Sequence, residues 1–266
     1  MILYYCFPQG KTKALTMSYD DGRLQDERLV SIFNKYGIRG TFNLNYGLME
    51  RDDRVSRERA KELYKGHEIA THTLLHPTIA RSPLTMVAQE ILEDRKGLET
   101  LTDYPVRGHA YPNGSYTKEI EELFAKLGIA YGRVVPCKPT FELPDNPMEW
   151  YATCHHNDPK LMEYGNWLIH FKKHQYLKLM YVWGHSYEFD DRDNWQVIEE
   201  FCALMGGRED IWYATNIEII DYMQVLKRLQ FNAAGDAVYN PSAASAWLEA
   251  DGKMVEVKGG CYTKLA

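Results

Sequence analysis

Cysteine is sparse: five residues (Cys6, Cys137, Cys154, Cys202, Cys261), odd in number and widely spaced, with no CxxC pair. That pattern fits reduced thiols in a cytoplasm better than a disulfide framework. Long apolar runs are missing too, so no stretch has the length to span a bilayer. The N-terminus has no basic lead-in and no small-residue cleavage pattern before or after Ile2–Phe7; it does not read as a signal peptide, and a cytoplasmic protein is expected. Positive charge is in deficit, because 31 Lys and Arg against 37 Asp and Glu leave a net −6. A phosphate array would not be attracted by such a field, which argues against nucleic acid or a membrane as partner. There is no internal repeat or low-complexity tract, and composition leaves the oligomeric state open.

What is present is an alternating rhythm. The 266 residues allow a well-buried core, and 13% aromatics would suit either that core or a groove that stacks on sugar rings. Short apolar runs at residues 14–19, 40–44, 68–70, 106–111, 128–131, 150–154, 177–183 and 211–214 read as strands. Between them lie amphipathic stretches, notably 24–36 with Gly37 as its stop, 56–65 capped by Ser56, and 82–102 opened by Ser82-Pro83. Residues 117–127, 159–173, 194–205 and 216–229 complete the helices, and the proline-bearing segment 136–147 reads as a long loop. About seven strand–loop–helix units argue for a parallel sheet wrapped by helices, as a closed barrel or a doubly wound sheet. Residues 1–230 form that main unit. Residues 231–266 change character, and Asp251-Gly252 between two alternating runs is a hairpin signal; a small antiparallel appendage packed on the barrel or on a partner chain is expected.

In such architectures chemistry gathers at the carboxyl ends of the strands. Those ends carry Asp20 and Asp21, His72 and His76, Tyr111-Pro112-Asn113, His155-His156-Asn157-Asp158, and His185. Two carboxylates ending a buried strand are costly unless a cation or a reaction uses them, although Asp-Asp-Gly is also ordinary turn chemistry. His72 and His76 share a face if the chain turns helically after its strand, with Pro77 ending that turn. Two histidines and a carboxylate form a metal set that leaves positions open for water and substrate, but an isolated HxxxH is as well read as a solvated pair.

Taken together, Ser18-Tyr19-Asp20-Asp21-Gly22, His72-Thr73-Leu74-Leu75-His76-Pro77, Ala110-Tyr111-Pro112-Asn113-Gly114-Ser115-Tyr116 and Gly184-His185 resemble the ordered motifs of the polysaccharide deacetylase family, over about residues 12–230. The resemblance implies a distorted (β/α) barrel of about seven parallel strands and metal-dependent hydrolysis of an N- or O-acetyl group on a sugar or oligosaccharide. It implies that Asp21, His72 and His76 hold one divalent ion, zinc or else cobalt, nickel, manganese or iron. Asp20 would be the general base, His185 the general acid, and Tyr111, Pro112 and Asn113 the substrate or oxyanion side, the Asn113 N–H in particular. Base and acid together predict a bell-shaped pH dependence.

The chain departs from the family in places. Where an arginine often orients the base, this chain has Ala110; Arg107 further back is the candidate substitute or else a surface charge. The motif that buttresses the acid histidine has no clean match, and Asp158 is either its replacement or a helix cap. His155 and His156, beside Cys154, could make a second metal site, but no fourth ligand stands at useful spacing and they read as groove or supporting residues; Glu188 and the acidic 190–193 run read as a solvated loop with a minor claim on substrate amines, and Trp183 as core. These departures keep two rivals in view: a hydrolase of a small non-carbohydrate amide or cyclic imide, and a carbohydrate-binding relative without turnover.

Overall fold

The computed structural model describes residues 1–265. The chain opens with a short strand, β1 (Leu3–Cys6), and then β2 (Lys13–Asp20), every residue of which is buried. α1 (Asp26–Tyr36) buries Leu29, Val30, Ile32 and Phe33 on one face and stops where Gly37 takes a left-handed φ of +66°. The order continues β3 (Gly40–Leu44), α2 (Arg57–Leu63), β4 (Glu68–Thr71), α3 (Leu84–Leu98), β5 (Gly108–Ala110), α4 (Lys118–Lys126) and β6 (Tyr131–Cys137). β7 (Trp150–Ala152), β8 (Cys154–His155), α5 (Leu161–His170), β9 (Lys178–His185), α6 (Glu188–Asp191), α7 (Trp195–Met205), β10 (Ile211–Tyr213) and α8 (Asn216–Arg228) complete the main unit.

Parallel pairing runs β6–β5–β4–β3–β2–β9. Closure comes from one short stretch used twice: β7 pairs with β6, and after a single residue β8 pairs with β9. The ring therefore has seven positions, the distorted (β/α) barrel that the motifs imply. Distortion is visible on β2, whose one edge pairs with β10 at Lys13–Leu15 and with β3 at Met17–Asp20.

Alternation sorts β2 into two faces. Leu15, Met17 and Tyr19 join α1, α5 and α7 in the largest apolar cluster, with Phe33, Ile198, Phe201 and Met205. Each such side chain contributes roughly 1.5–3 kcal/mol on burial. Thr16, Ser18 and Asp20 face the barrel interior, which is polar: Thr16 donates to Asn216 Oδ1 (2.7 Å) and Ser18 accepts from Asn43 (2.9 Å).

Three local expectations change. Pro83 itself stands at the N-cap of α3 and no side chain caps the helix, so Ser82 is not the cap. β6 runs through Pro136 to Cys137 because a register shift between Val134 and Cys137 takes the proline out of the ladder. β1 is a strand that the residue pattern left unassigned. It pairs antiparallel with β13 (Ala246–Ala250), which pairs with β14 (Lys253–Val257) through the Asp251-Gly252 turn, both residues having positive φ. A second antiparallel sheet joins β11 (Gln230–Phe231), β12 (Ala237–Tyr239) and β15 (Tyr262–Lys264). Val238, Leu248 and Val257 pack with Ile219, Tyr222 and Leu226 of α8, seating these strands on the barrel. No helix among the described residues is long and apolar enough to cross a membrane.

Candidate active site

Asp21 leaves β2 at a φ of +80°, so the strand breaks between the two carboxylates. Arg54 donates to the Asp21 backbone carbonyl and lies 3.4 Å from its side chain. The two histidines do not share a helical face: the segment after β4 is a bend, with Thr73 at φ +66° and His76 at φ +60°, and that left-handed path turns both rings inward. Their centroids are 4.7 Å apart. Asp94 of α3 accepts from the N–H of His72 (3.2 Å) and from Thr71 (2.5 Å), and Asn45 donates to the carbonyls of His72 and Thr73. These bonds fix the bend.

Asp21, His72 and His76 each present a donor atom, all within 4.8 Å of one another. His72 Nδ1 lies 2.6 Å from the Ala110 carbonyl. A carbonyl only accepts, so Nδ1 carries the proton and Nε2 presents a lone pair. Burial holds His72 down to about 4, against the pull of Asp20 and Asp21, and keeps it neutral. One carboxylate and two imidazoles suit a divalent transition ion of the zinc type.

Asp20 is almost wholly buried, accepting from Asn43 Nδ2 (2.8 Å) and from the Arg133 guanidinium. Burial pushes its carboxyl up, but Arg133 and the His72 and His185 imidazoles outweigh it and hold Asp20 well below the usual range. Arg133, itself buried, stacks 4.1 Å above the Trp183 ring. Nε2 of both His72 and His185 lies 3.9 Å from Asp20 Oδ2.

On its far side His185 Nδ1 meets Glu188 Oε1 at 3.2 Å. Burial pulls His185 down, but the Glu188 bond and the charges of Asp20 and Asp21 raise it above its ordinary value. Glu188 Oε2 accepts from Asn157 Nδ2 (3.1 Å), with His155 and His156 Nε2 3.2 and 3.0 Å away. Glu188 is thus part of the site rather than a solvated loop. Asp158 does not reach His185: its side chain accepts from the N–H of Lys160 (2.8 Å) at the start of α5. Arg107 is also elsewhere, paired with Asp221 at 3.0 and 2.5 Å.

The cleft over these groups has a volume of about 430 Å³ and is lined by Asp20, Asp21, His72, His76, Tyr111, Asn113, Val135, Trp183, His185 and Tyr187. Pro112 is buried and does not line it. Trp183, read from sequence as core, is nearly buried yet forms part of the wall. Arg133 escaped the sequence reading because it stands in no motif. Its signal was a lone arginine between Tyr131 and Val135 at alternate positions of an apolar run, the mark of a cation facing inward.

The sequence profile of the polysaccharide deacetylase family matches residues 8–132. No curated protein matches the chain. Among solved structures, a putative polysaccharide deacetylase from Mycobacterium smegmatis aligns at 17% identity and a TM-score of 0.63, covering 83% of this chain and 93% of its own. BA3943 from Bacillus anthracis, a family 4 carbohydrate esterase pseudoenzyme, aligns at 16% identity and 0.51, covering 82% and 68%. The Streptococcus pyogenes deacetylase PplD, solved with acetate, aligns at 21% identity and 0.44, and the chain spans 55% of its length while 45% of this chain is covered. At these identities the likeness to the first two establishes the barrel fold.

Proposed function

We propose that this chain, whose residues 8–132 match the polysaccharide deacetylase profile, is a divalent-metal hydrolase that removes an N- or O-linked acetyl group from a carbohydrate. The observation that carries this reading is the placement of Asp20. Its ionised carboxylate is locked by Arg133 and Asn43 beside the Asp21–His72–His76 donors and 3.9 Å from His185.

Asp21, His72 and His76 would hold the ion. When bound, it supplies a water of lowered pKa and polarises the acetyl carbonyl. Asp20 would serve as the general base toward the attacking water, and two fixed hydrogen-bond donors keep its lone pairs aimed. Held so low, Asp20 is ionised at every working pH. The alkaline limb belongs to His185, which must be protonated to deliver a proton from Nε2 to the departing amine or alcohol. Glu188, accepting from Nδ1, holds the ring in the doubly protonated form. Activity is therefore full below the raised pKa of His185 and lost as pH rises through it, and Asp20, held so low, does not supply the acid limb of the bell expected from a base and an acid together.

Acetate release from a panel of acetylated sugars, with and without added divalent ions, tests the reading. Asp20→Asn should lower kcat at least about 10³-fold while the bound metal is retained; an unchanged rate removes Asp20 from the base role.

A further inference from the structure

Beyond the Asp21–His72–His76 group, a second convergence of donors stands on the other side of His185. His155 from β8, His185 from β9 and Glu188 from α6 each offer an atom within 4.8 Å of the others. The two sets share no residue. His156 completes the convergence: it is wholly buried, with Nε2 3.0 Å from Glu188 Oε2. An imidazole buried this deeply is costly unless it has a partner, and Glu188 is the one it faces.

The position of His156 is built into the backbone. A Cβ on Gly184 would lie 2.0 Å from His156 Nδ1, so only glycine lets the ring stand against β9. Tyr19 stacks on His156 at 5.6 Å and Phe189 at 4.2 Å, fixing its plane. The result is three imidazoles around one carboxylate, a nitrogen-rich donor set of the kind that takes borderline transition ions rather than magnesium or calcium.

We propose that His155, His185 and Glu188, with His156 beside them, form a second divalent-cation site of the zinc class, and that filling it inhibits the enzyme. The ion takes the lone pair of His185 Nδ1, and the proton that Nδ1 shares with Glu188 leaves to solvent. The ring is then neutral with a single N–H at Nε2, so it is no longer the imidazolium that donates to a leaving group. The first equivalent of metal activates and the second inhibits. The ion site stands on geometry alone; the inhibition rests on the acid role proposed above for His185.

The full chain, stripped with a chelator, is titrated with Co²⁺ while its visible d–d absorption is followed and bound metal is counted after desalting. Two ions per chain are expected, with one in Glu188→Gln, one in His155→Ala and one in His76→Ala. A single ion in the unaltered protein, or two in Glu188→Gln, overturns the site. The unaltered count decides the matter even where a variant fails to fold. Deacetylation should rise over the first equivalent and fall about tenfold over the second. Two ions without acetate release would sink the proposed function and leave the second site standing; two ions with no fall in rate would overturn the inhibition.

Discussion

Two buried carboxylates in the barrel interior, Asp20 at the carboxyl end of the strands and Glu68 at the amino end, have opposite fates. Glu68 accepts three hydrogen bonds, from Thr41, Tyr131 and the Ile217 N–H, each 2.9 Å, and yet burial pushes it from 4.5 up to about 7. Asp20 accepts only two and stays far below the usual range, because one comes from a guanidinium and two imidazoles lie close. Neutral donors do not offset the loss of hydration of a buried charge; a cation does. Gly108 shows how closely the amino end is fitted, since a Cβ there would lie 2.2 Å from the Tyr131 hydroxyl. That end is a plug closed by the start of α8, with Asn216 bonded to Thr16 and Tyr181. The barrel thus keeps its charge where the cleft can use it.

Breaking the contrast at Asp20 should have the largest effect. Arg133→Met leaves that carboxylate buried without its cation, and kcat/KM should fall about 10²–10³-fold, with stability down by roughly 3 kcal/mol. Asp20 then rises, so the pH–rate profile gains an acid limb that the unaltered protein lacks; a profile of unchanged shape would separate Asp20 from Arg133.

Glu188→Gln is the next step down. Without the partner that raises it, His185 loses its proton at lower pH, so the alkaline limb moves down and the rate falls on that limb. A limb that stays in place in the pH–rate profile takes Glu188 out of the positioning role.

Glu68→Gln sharpens the contrast from the other side and touches stability alone. Its folded pKa of about 7 exceeds its unfolded value, so the folded state holds the extra proton between the two. The contribution to stability is full below about pH 4.5 and declines by about 3 kcal/mol as pH rises through 7. Denaturant unfolding at pH 5 and pH 8 should show a smaller decline in the variant. Asp26 and Asp94, also raised to about 7 by burial, retain part of the slope. An equal decline in the two proteins would mean that Glu68 does not titrate as its burial requires.

Much of this molecule was legible before folding. Helix stops, the Ser56 cap and the Asp-Gly hairpin are contacts between near neighbours in the chain, so composition at a few positions decides them. The Asp20-Asp21 and His72–His76 groups were legible because each occupies one strand end, and alternation along a strand is a local rule. The helical turn expected between the two histidines failed because Thr73 and His76 adopt positive φ, in a bend that Asp94 and Asn45 hold at His72 and Thr73 from other elements.

Arg133, Glu188, His155 and His156 belong to the second kind of information. Glu188 meets His185 three residues away, but Arg133 reaches Asp20, and His155 and His156 reach Glu188, because β7 and β8 pair in turn with β6 and β9 and close the ring. The order of strands and the polar residues at their ends follow from local pattern, which the sequence carries within a few residues. Which cation faces which carboxylate follows from barrel closure across more than a hundred residues, and only the tertiary structure decides that.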